Sequence, residues 1–145
     1  MNAEIIGIGS ELLLGQIVNT DAQFISEQLS TLGIDVFWHT VVGDNRKRIM
    51  EALRLAADRS DIIITTGGLG PTMDDLSKET MAEFLGMELE IHEPSLNRIQ
   101  SYFTTMGREM TDNNKKQALF PKEAIVLKND NGTAPGAIIE KNDRI

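Results

Sequence analysis

Three apolar runs, residues 3 to 8, 35 to 42 and 61 to 66, alternate with two segments of helical periodicity. Between the first two runs, Ala22, Ile25, Leu29 and Leu32 recur at the spacing of one helix face. Thr20 and Gln23 fit a capping box there, and Gly33 stands where a helix ends. Between the second and third runs, Ile49, Ala52, Leu53 and Ala56 mark another such face. Strands separated by helices of crossover length run parallel, because a tight turn returns the chain in the opposite direction. The βαβαβ order therefore predicts an α/β fold with a mainly parallel sheet and right-handed crossovers. It also predicts a ligand cleft beyond the carboxyl ends of the strands.

Those ends deliver Gly9-Ser10-Glu11, Gly43-Asp44-Asn45 and Gly67-Gly68-Leu69-Gly70 to one edge of the sheet. Each segment alone reads as a turn; their convergence reads as a site. The third is the most informative, because an apolar strand runs into glycines and then into Asp74 and Asp75. Glycines let a backbone approach a ligand closely, and N–H groups at a helix start favour an anion. Two carboxylates beside an anion would repel it unless a divalent cation lies between them, so a metal-bridged phosphate or pyrophosphate suits the segment better. The plainer reading is a strand-to-helix connection capped by Thr72 or Asp75.

Composition narrows the chemistry. A chain of 145 residues with 41% hydrophobic content buries a core as one domain without staples. It has no cysteine, which excludes thiol catalysis and thiolate metal sites. With 14 basic and 22 acidic residues, the charge of −8 argues against a surface that tracks nucleic-acid phosphates. Neither a signal peptide nor a transmembrane helix is expected, and a cytoplasmic protein binding a small molecule is the default.

Beyond residue 86 the pattern changes. Glu93-Pro94 opens a helix expected to reach Met106, with Leu96, Ile99 and Phe103 on one face, and a second helix is expected at 112 to 119. Residues 124 to 128 and 137 to 140 read as strands around a polar turn at 129 to 136, and Asn142-Asp143 as the turn of a further hairpin. The expectation is one domain, 1 to 145, cut before its last strand and loop. His39, beside Trp38, reads as a hydrogen-bonded structural residue and His92 as a cap. Asn19 and Asp21 read as caps near the first glycine segment. Lys78 reads as a solvated surface lysine or, less simply, a phosphate partner, and Lys115 and Lys116 share that ambiguity. No histidine spacing fits a zinc hydrolase.

Four stretches carry a family resemblance: residues 7 to 21 (GIGSELLLGQIVNTD), 42 to 45 (VGDN), 65 to 76 (TTGGLGPTMDDL) and 131 to 136 (NGTAPG). Spread in order over nearly the whole chain, they resemble the amino-terminal domain of the competence/damage-inducible protein A (CinA) family. That domain is part of the wider MoaB/MogA-like molybdopterin-binding superfamily; Leu69 stands where the superfamily motif has threonine. The resemblance implies a three-layer αβα sandwich with a mainly parallel sheet. It also implies a divalent-metal-dependent pyrophosphatase that splits ADP-ribose into AMP and ribose 5-phosphate. A carboxy-terminal deamidase domain follows in many family members, and nothing in this sequence represents it.

Residue by residue, the resemblance gives Asp44 and Asp75 the roles of metal ligands and catalytic acids. Thr66, Gly67, Gly68 and Gly70 match the phosphate- or pterin-facing loop. Gly9, Ser10 and Glu11 are similar to a Gly-Asp-Glu-Leu segment of MoeA-like proteins. Asn131, Gly132, Pro135 and Gly136 resemble a further loop over the pocket. The implied partners are a nucleotide or pterin phosphate, a divalent metal, and a second or third copy of the chain, with neither nucleic acid nor membrane. Three readings stand: a pyrophosphatase, a module that binds nucleotide or pterin without hydrolysis, and an assembly domain of a longer protein.

Overall fold

The computed structural model describes residues 1–140. Its centre is strand β1 (Asn2–Ile8), flanked by β2 (Asp35–Val42) on one side and β3 (Ile62–Thr66) on the other, in the order β2-β1-β3. Both pairings are parallel, running from Asn2↔Asp35 to Ile8↔Val42 and from Ala3↔Ile62 to Gly7↔Thr66. The expected strands are present, within a residue of their predicted ends.

A central parallel strand is covered on both faces, so its side chains alternate between two cores and it reads as continuously apolar. Ile6 and Ile8 pack with Ile49, Ala52, Leu53 and Ala56 of helix α3 (Arg46–Arg59). Helix α4 (Ser77–Leu85) adds Met81 and Phe84 to that layer. Ala3 and Ile5 point the other way, onto Ala22 and Leu29 of helix α2 (Thr20–Thr31). Helices thus flank both faces of the sheet, as the alternation predicts. Full burial of each isoleucine contributes about 2 kcal/mol, so β1 is the main apolar anchor of the domain.

Asn19 caps α2 as expected, its side chain accepting from the Ala22 N–H at 3.1 Å, but the capping box of Thr20 and Gln23 does not form, since Gln23 donates to Glu27 four residues on. Leu32 is 72% exposed, because the helix ends before that position can turn back to the sheet.

Glu4 interrupts the apolar run of β1 and is fully buried. Arg59, at the end of α3, donates to both of its carboxylate oxygens at 2.8 Å, and the Thr40 hydroxyl donates to one of them. The guanidinium also lies over the Trp38 ring, 4.6 Å from its centroid. Burial pushes the Glu4 carboxyl up, but the hydrogen bonds from Arg59 and Thr40 and the guanidinium charge together hold it below its ordinary value.

The remainder is built from short antiparallel pairs. Strand β4 (Leu89–Ile91) pairs with β5 (Leu119–Pro121), and β6 (Ile125–Leu127) with β7 (Gly136–Ile138). Helix α5 (Glu93–Thr105) opens at Glu93-Pro94 as expected and ends one residue before Met106. The helix expected over 112 to 119 is shorter: α6 covers Asp112–Lys115, a 3-10 turn covers Lys116–Ala118, and Leu119 already belongs to β5. Phe120, 2% exposed, is drawn into the core by that pairing, which outweighs local helical preference. The hairpin expected at Asn142-Asp143 lies outside the described residues.

Candidate functional site

Because the three long strands are parallel and in register, Ile8, Val42 and Thr66 end at one edge of the sheet. The segments that follow them are neighbours there. Gly9 donates its N–H to the Val42 carbonyl at 2.9 Å, continuing the ladder into the first turn. The short helix α1 (Ser10–Leu13) starts immediately after it.

Ser10 fixes Asp44. Its N–H and hydroxyl both donate to Asp44 Oδ2, at 2.9 and 2.8 Å, and the Asp44 N–H approaches the same hydroxyl oxygen at 3.3 Å. A carboxylate held by two donors on one oxygen keeps a single orientation. Its other oxygen stays available to a ligand. Beside it, Asn45 caps α3 by accepting from the Arg48 N–H, so the turn carrying Asp44 is braced from both sides.

The glycine loop is shaped by close packing. Gly67 and Gly68 take positive φ, 95° and 63°, which L side chains rarely adopt. A Cβ on Gly67 would lie 2.0 Å from the Ile8 carbonyl oxygen, and one on Gly68 would lie 2.3 Å from Ser77 Oγ. A Cβ on Gly70 would meet Asp75 Oδ2 at 2.6 Å. The three glycines therefore have three separate structural causes, before any ligand is considered. Ser77 closes the loop by donating its hydroxyl to the Gly67 carbonyl at 2.6 Å and its N–H to the Gly68 carbonyl at 3.2 Å.

Asp75 lies inside this loop and does not cap α4, whose first flanking residue is Leu76 without a side-chain cap. Its Oδ2 accepts from the Thr72 N–H at 2.8 Å and from the Thr72 hydroxyl. Burial pushes the carboxyl up, yet Thr72, the Gly70 N–H and the charge of Lys116 together hold it below the usual carboxylate range. Asp75 is thus ionised and loop-forming at neutral pH. Asp74 is exposed beside it.

Two lysines tie the loop to the second half of the chain. Lys116 Nζ donates to the Thr72 carbonyl at 2.9 Å and to the Asp75 carbonyl, and pairs with Glu79 at 3.3 Å. Lys78 is 9% exposed, which corrects its reading as a solvated lysine. It donates to the carbonyls of Lys116 and Gln117 at 3.2 and 2.8 Å and lies 4.3 Å from the Phe120 ring centroid. Burial lowers its pKa to about 8, with the Lys116 charge adding to the effect and Glu79 opposing it. Main-chain carbonyls drew both lysines inward, and no sequence pattern signals such partners.

The structure brings further polar groups to this edge. The Thr66 hydroxyl donates to Asp21 Oδ2 at 2.7 Å, so an acid from the start of α2 joins the end of β3. The Glu11 carboxylate lies close against Gly9, where an added Cβ would meet it at 2.5 Å. Asn131, Gly132 and Pro135 line a separate cavity with α5, and Gly136 lines a groove along β3 and α4. The two histidines serve the structure, His39 beside Ser26 Oγ at 2.8 Å and His92 beside Ser95 Oγ at 2.7 Å.

Among the described residues, no three acidic or histidine side chains gather as a ready-made metal cage. The donor set fits a different mode. A hard divalent cation such as magnesium is commonly held by one or two carboxylates plus the oxygens of a substrate phosphate. Asp44 has the preset orientation that this mode needs.

Residues 4–144 match the model of a family described as a probable molybdopterin binding domain. A putative competence-damage inducible protein of Clostridium novyi is 59% identical over 145 residues, covering 100% of this chain and 35% of that protein. A second, from Clostridioides difficile, is 55% identical over 99% of this chain and 34% of its own length. The chain thus spans about a third of these relatives. The crystal structure of CinA from Thermoplasma acidophilum, described as of unknown function, superposes with a TM-score of 0.88 at 37% identity, over 99% of this chain and 83% of the other. MoaB from Thermus thermophilus superposes at 0.56 with 25% identity, over 69% and 62% of the two chains. With its parallel sheet, glycine loop and acid-bearing turns in place, the chain belongs to the CinA branch of the MoaB/MogA-like molybdopterin-binding domain family.

Proposed function

We propose that this domain binds a nucleotide pyrophosphate at the carboxyl edge of the sheet and, with a divalent cation, hydrolyses ADP-ribose to AMP and ribose 5-phosphate. The observation that carries this reading is one juxtaposition: Asp44, oriented by Ser10, stands at the same sheet edge as the side-chain-free backbone of Gly67 and Gly68. The positive φ of Gly67 and Gly68 sets the course of the loop that would face the phosphates, and Asp44, with Asp75 as second ligand, would hold the cation. When bound, the cation supplies charge neutralisation and polarisation of the phosphoryl oxygens.

In the reaction, a water oxygen forms a new bond to one phosphorus of the pyrophosphate, and the bond from that phosphorus to the bridging oxygen breaks. One phosphate leaves on AMP and the other on ribose 5-phosphate, with the water's protons released to solvent and products. The chain's own part is positioning. Ser10 holds Asp44, and Thr72, Ser77 and Lys116 hold the loop so that its geometry is set before substrate arrives.

Incubation with ADP-ribose and magnesium or manganese, followed by chromatography for AMP, tests this directly. Asp44→Asn is expected to abolish AMP release while the melting temperature stays close to that of the parent. Asp75→Asn is expected to lose activity with some loss of loop order, because an amide cannot accept from all of its donors equally well. Equal turnover in Asp44→Asn and the parent overturns the reading. A second reading, binding of a pterin phosphate without hydrolysis, draws support from the family description. It predicts saturable binding, weakened by substitution at Gly68, and no AMP from ADP-ribose under any metal.

A further inference from the structure

Asn131, Gly132, Thr133 and Pro135 line an open pocket of about 420 Å³ against α5, and its lining includes neither Asp44, Asp75 nor the glycine loop. That size falls within the range of small-molecule pockets. Ser95, Arg98, Ile99 and Tyr102 face it at the spacing of one helix surface, and Val126 of β6 contributes from the opposite wall. Ile99, 1% exposed, and Pro135 are buried apolar surfaces in its lining, and Tyr102 is a half-exposed aromatic wall.

The chain carries −8, yet the lining holds two cations, Arg98 and Lys128, and one acid, Asp130. Both cations turn to that acid, at 3.3 and 2.6 Å. Asp130 is exposed, so its carboxylate is an exchangeable counterion that a ligand anion can replace. The loop that carries Asp130 is ordered by Asn129. Its side chain accepts from the Asn131 N–H and donates to the Ala134 carbonyl, each at 2.9 Å. The wall exists before any ligand enters.

The geometry points to a second ligand site here, between α5 and residues 128–135, for a ring-bearing phosphomonoester of mononucleotide size. The phosphate takes the place of Asp130 between Arg98 and Lys128, and the ring lies against Tyr102 and the apolar lining. This assignment is independent of the hydrolytic reading, since none of these residues belongs to the Asp44 edge.

The test is titration of the whole chain with AMP, followed by the amide signals of Gly132 and Thr133 in two-dimensional NMR, with adenosine and inorganic phosphate as the half-ligands. Saturable shifts with AMP are expected, much weaker with either half. The double variant R98A/K128A is expected to lose about tenfold or more in affinity, the scale of charge-assisted hydrogen bonds. D130N is expected to bind more tightly than the parent, because it removes the competing carboxylate. Asp75→Asn is expected to leave the AMP shifts at Gly132 unchanged. Absence of saturable shifts in the parent, affinity in R98A/K128A equal to the parent's, or loss of the Gly132 shifts in Asp75→Asn would each overturn the assignment.

Discussion

Residues 2–66 and residues 86–140 are stabilised in different ways. The first stretch hides one strand between two layers of helix, so its order resides in two apolar cores, one on each face of the sheet. The second has two ribbons of three-residue strands and adds polar contacts to its few buried apolar side chains: the His92–Ser95 side-chain hydrogen bond, the Asn129 loop and the two lysine contacts to main-chain carbonyls. Buried apolar area is insensitive to small shifts and to pH; polar contacts depend on both. The candidate catalytic edge grows from the rigid stretch but is secured by the other one.

Glycine gives the sharpest contrast, because Gly67 and Gly107 share a positive φ and differ in surroundings. Gly67→Ala drives a Cβ into the Ile8 carbonyl, so the largest effect is expected there, about 4 kcal/mol or more in chemical denaturation. Stability within about 1 kcal/mol of the parent would show that the two stretches yield equally.

Next comes the buried pair. Arg59→Ala leaves Glu4 charged and unpaired in the core, and about 3 kcal/mol of destabilisation is expected. The Glu4 carboxyl is held below its ordinary value of 4.5, so its contribution is present above that pH and is lost as pH falls through the folded-state pKa. Lys78 has the same sign in an alkaline window. Its pKa drops from 10.5 to about 8, so between those values the unfolded chain binds the extra proton and the folded state gains stability as pH rises. Comparing the melting temperature of the parent with Glu4→Gln in acid and with Lys78→Met in alkali separates the core pair from the lysine joint by pH window. Parallel pH profiles for parent and Lys78→Met would remove the second half of that claim.

Lys116→Ala should act on the loop more than on the fold. About 1–2 kcal/mol of nucleotide affinity is expected to disappear in calorimetry, with a smaller change in global stability. A change in stability alone would make Lys116 a packing residue. The smallest effect belongs to Gly107→Ala, where no atom lies within 4 Å of the new Cβ and only backbone strain remains, about 1 kcal/mol.

The same contrast explains what the sequence made visible. Long-period signals were legible: the parallel strands, the α2 and α3 faces, and the convergence of Gly9, Asp44 and Gly67. Strands β4 and β5 were not, because three residues are too few to display a period of two and their pairing partners lie some thirty positions apart. The Ser10–Asp44 and Thr66–Asp21 contacts follow from parallel register once the fold is known, although neither side chain announces its partner. In the sequence Lys78 and Lys116 read as surface charges or phosphate partners, because their actual acceptors are main-chain oxygens, which every residue possesses.

A contact made to a carbonyl oxygen does not depend on which side chain its owner carries. Substitutions at position 117 that keep the main chain in place therefore leave the hold of Lys78 untouched, whereas a change of the Asp75 carboxylate reaches Lys116 through Thr72, which both of them hold. Such a domain can vary the side chain at position 117 without renegotiating the joint that keeps its two halves together, while the acid at position 75 stays tied to that joint.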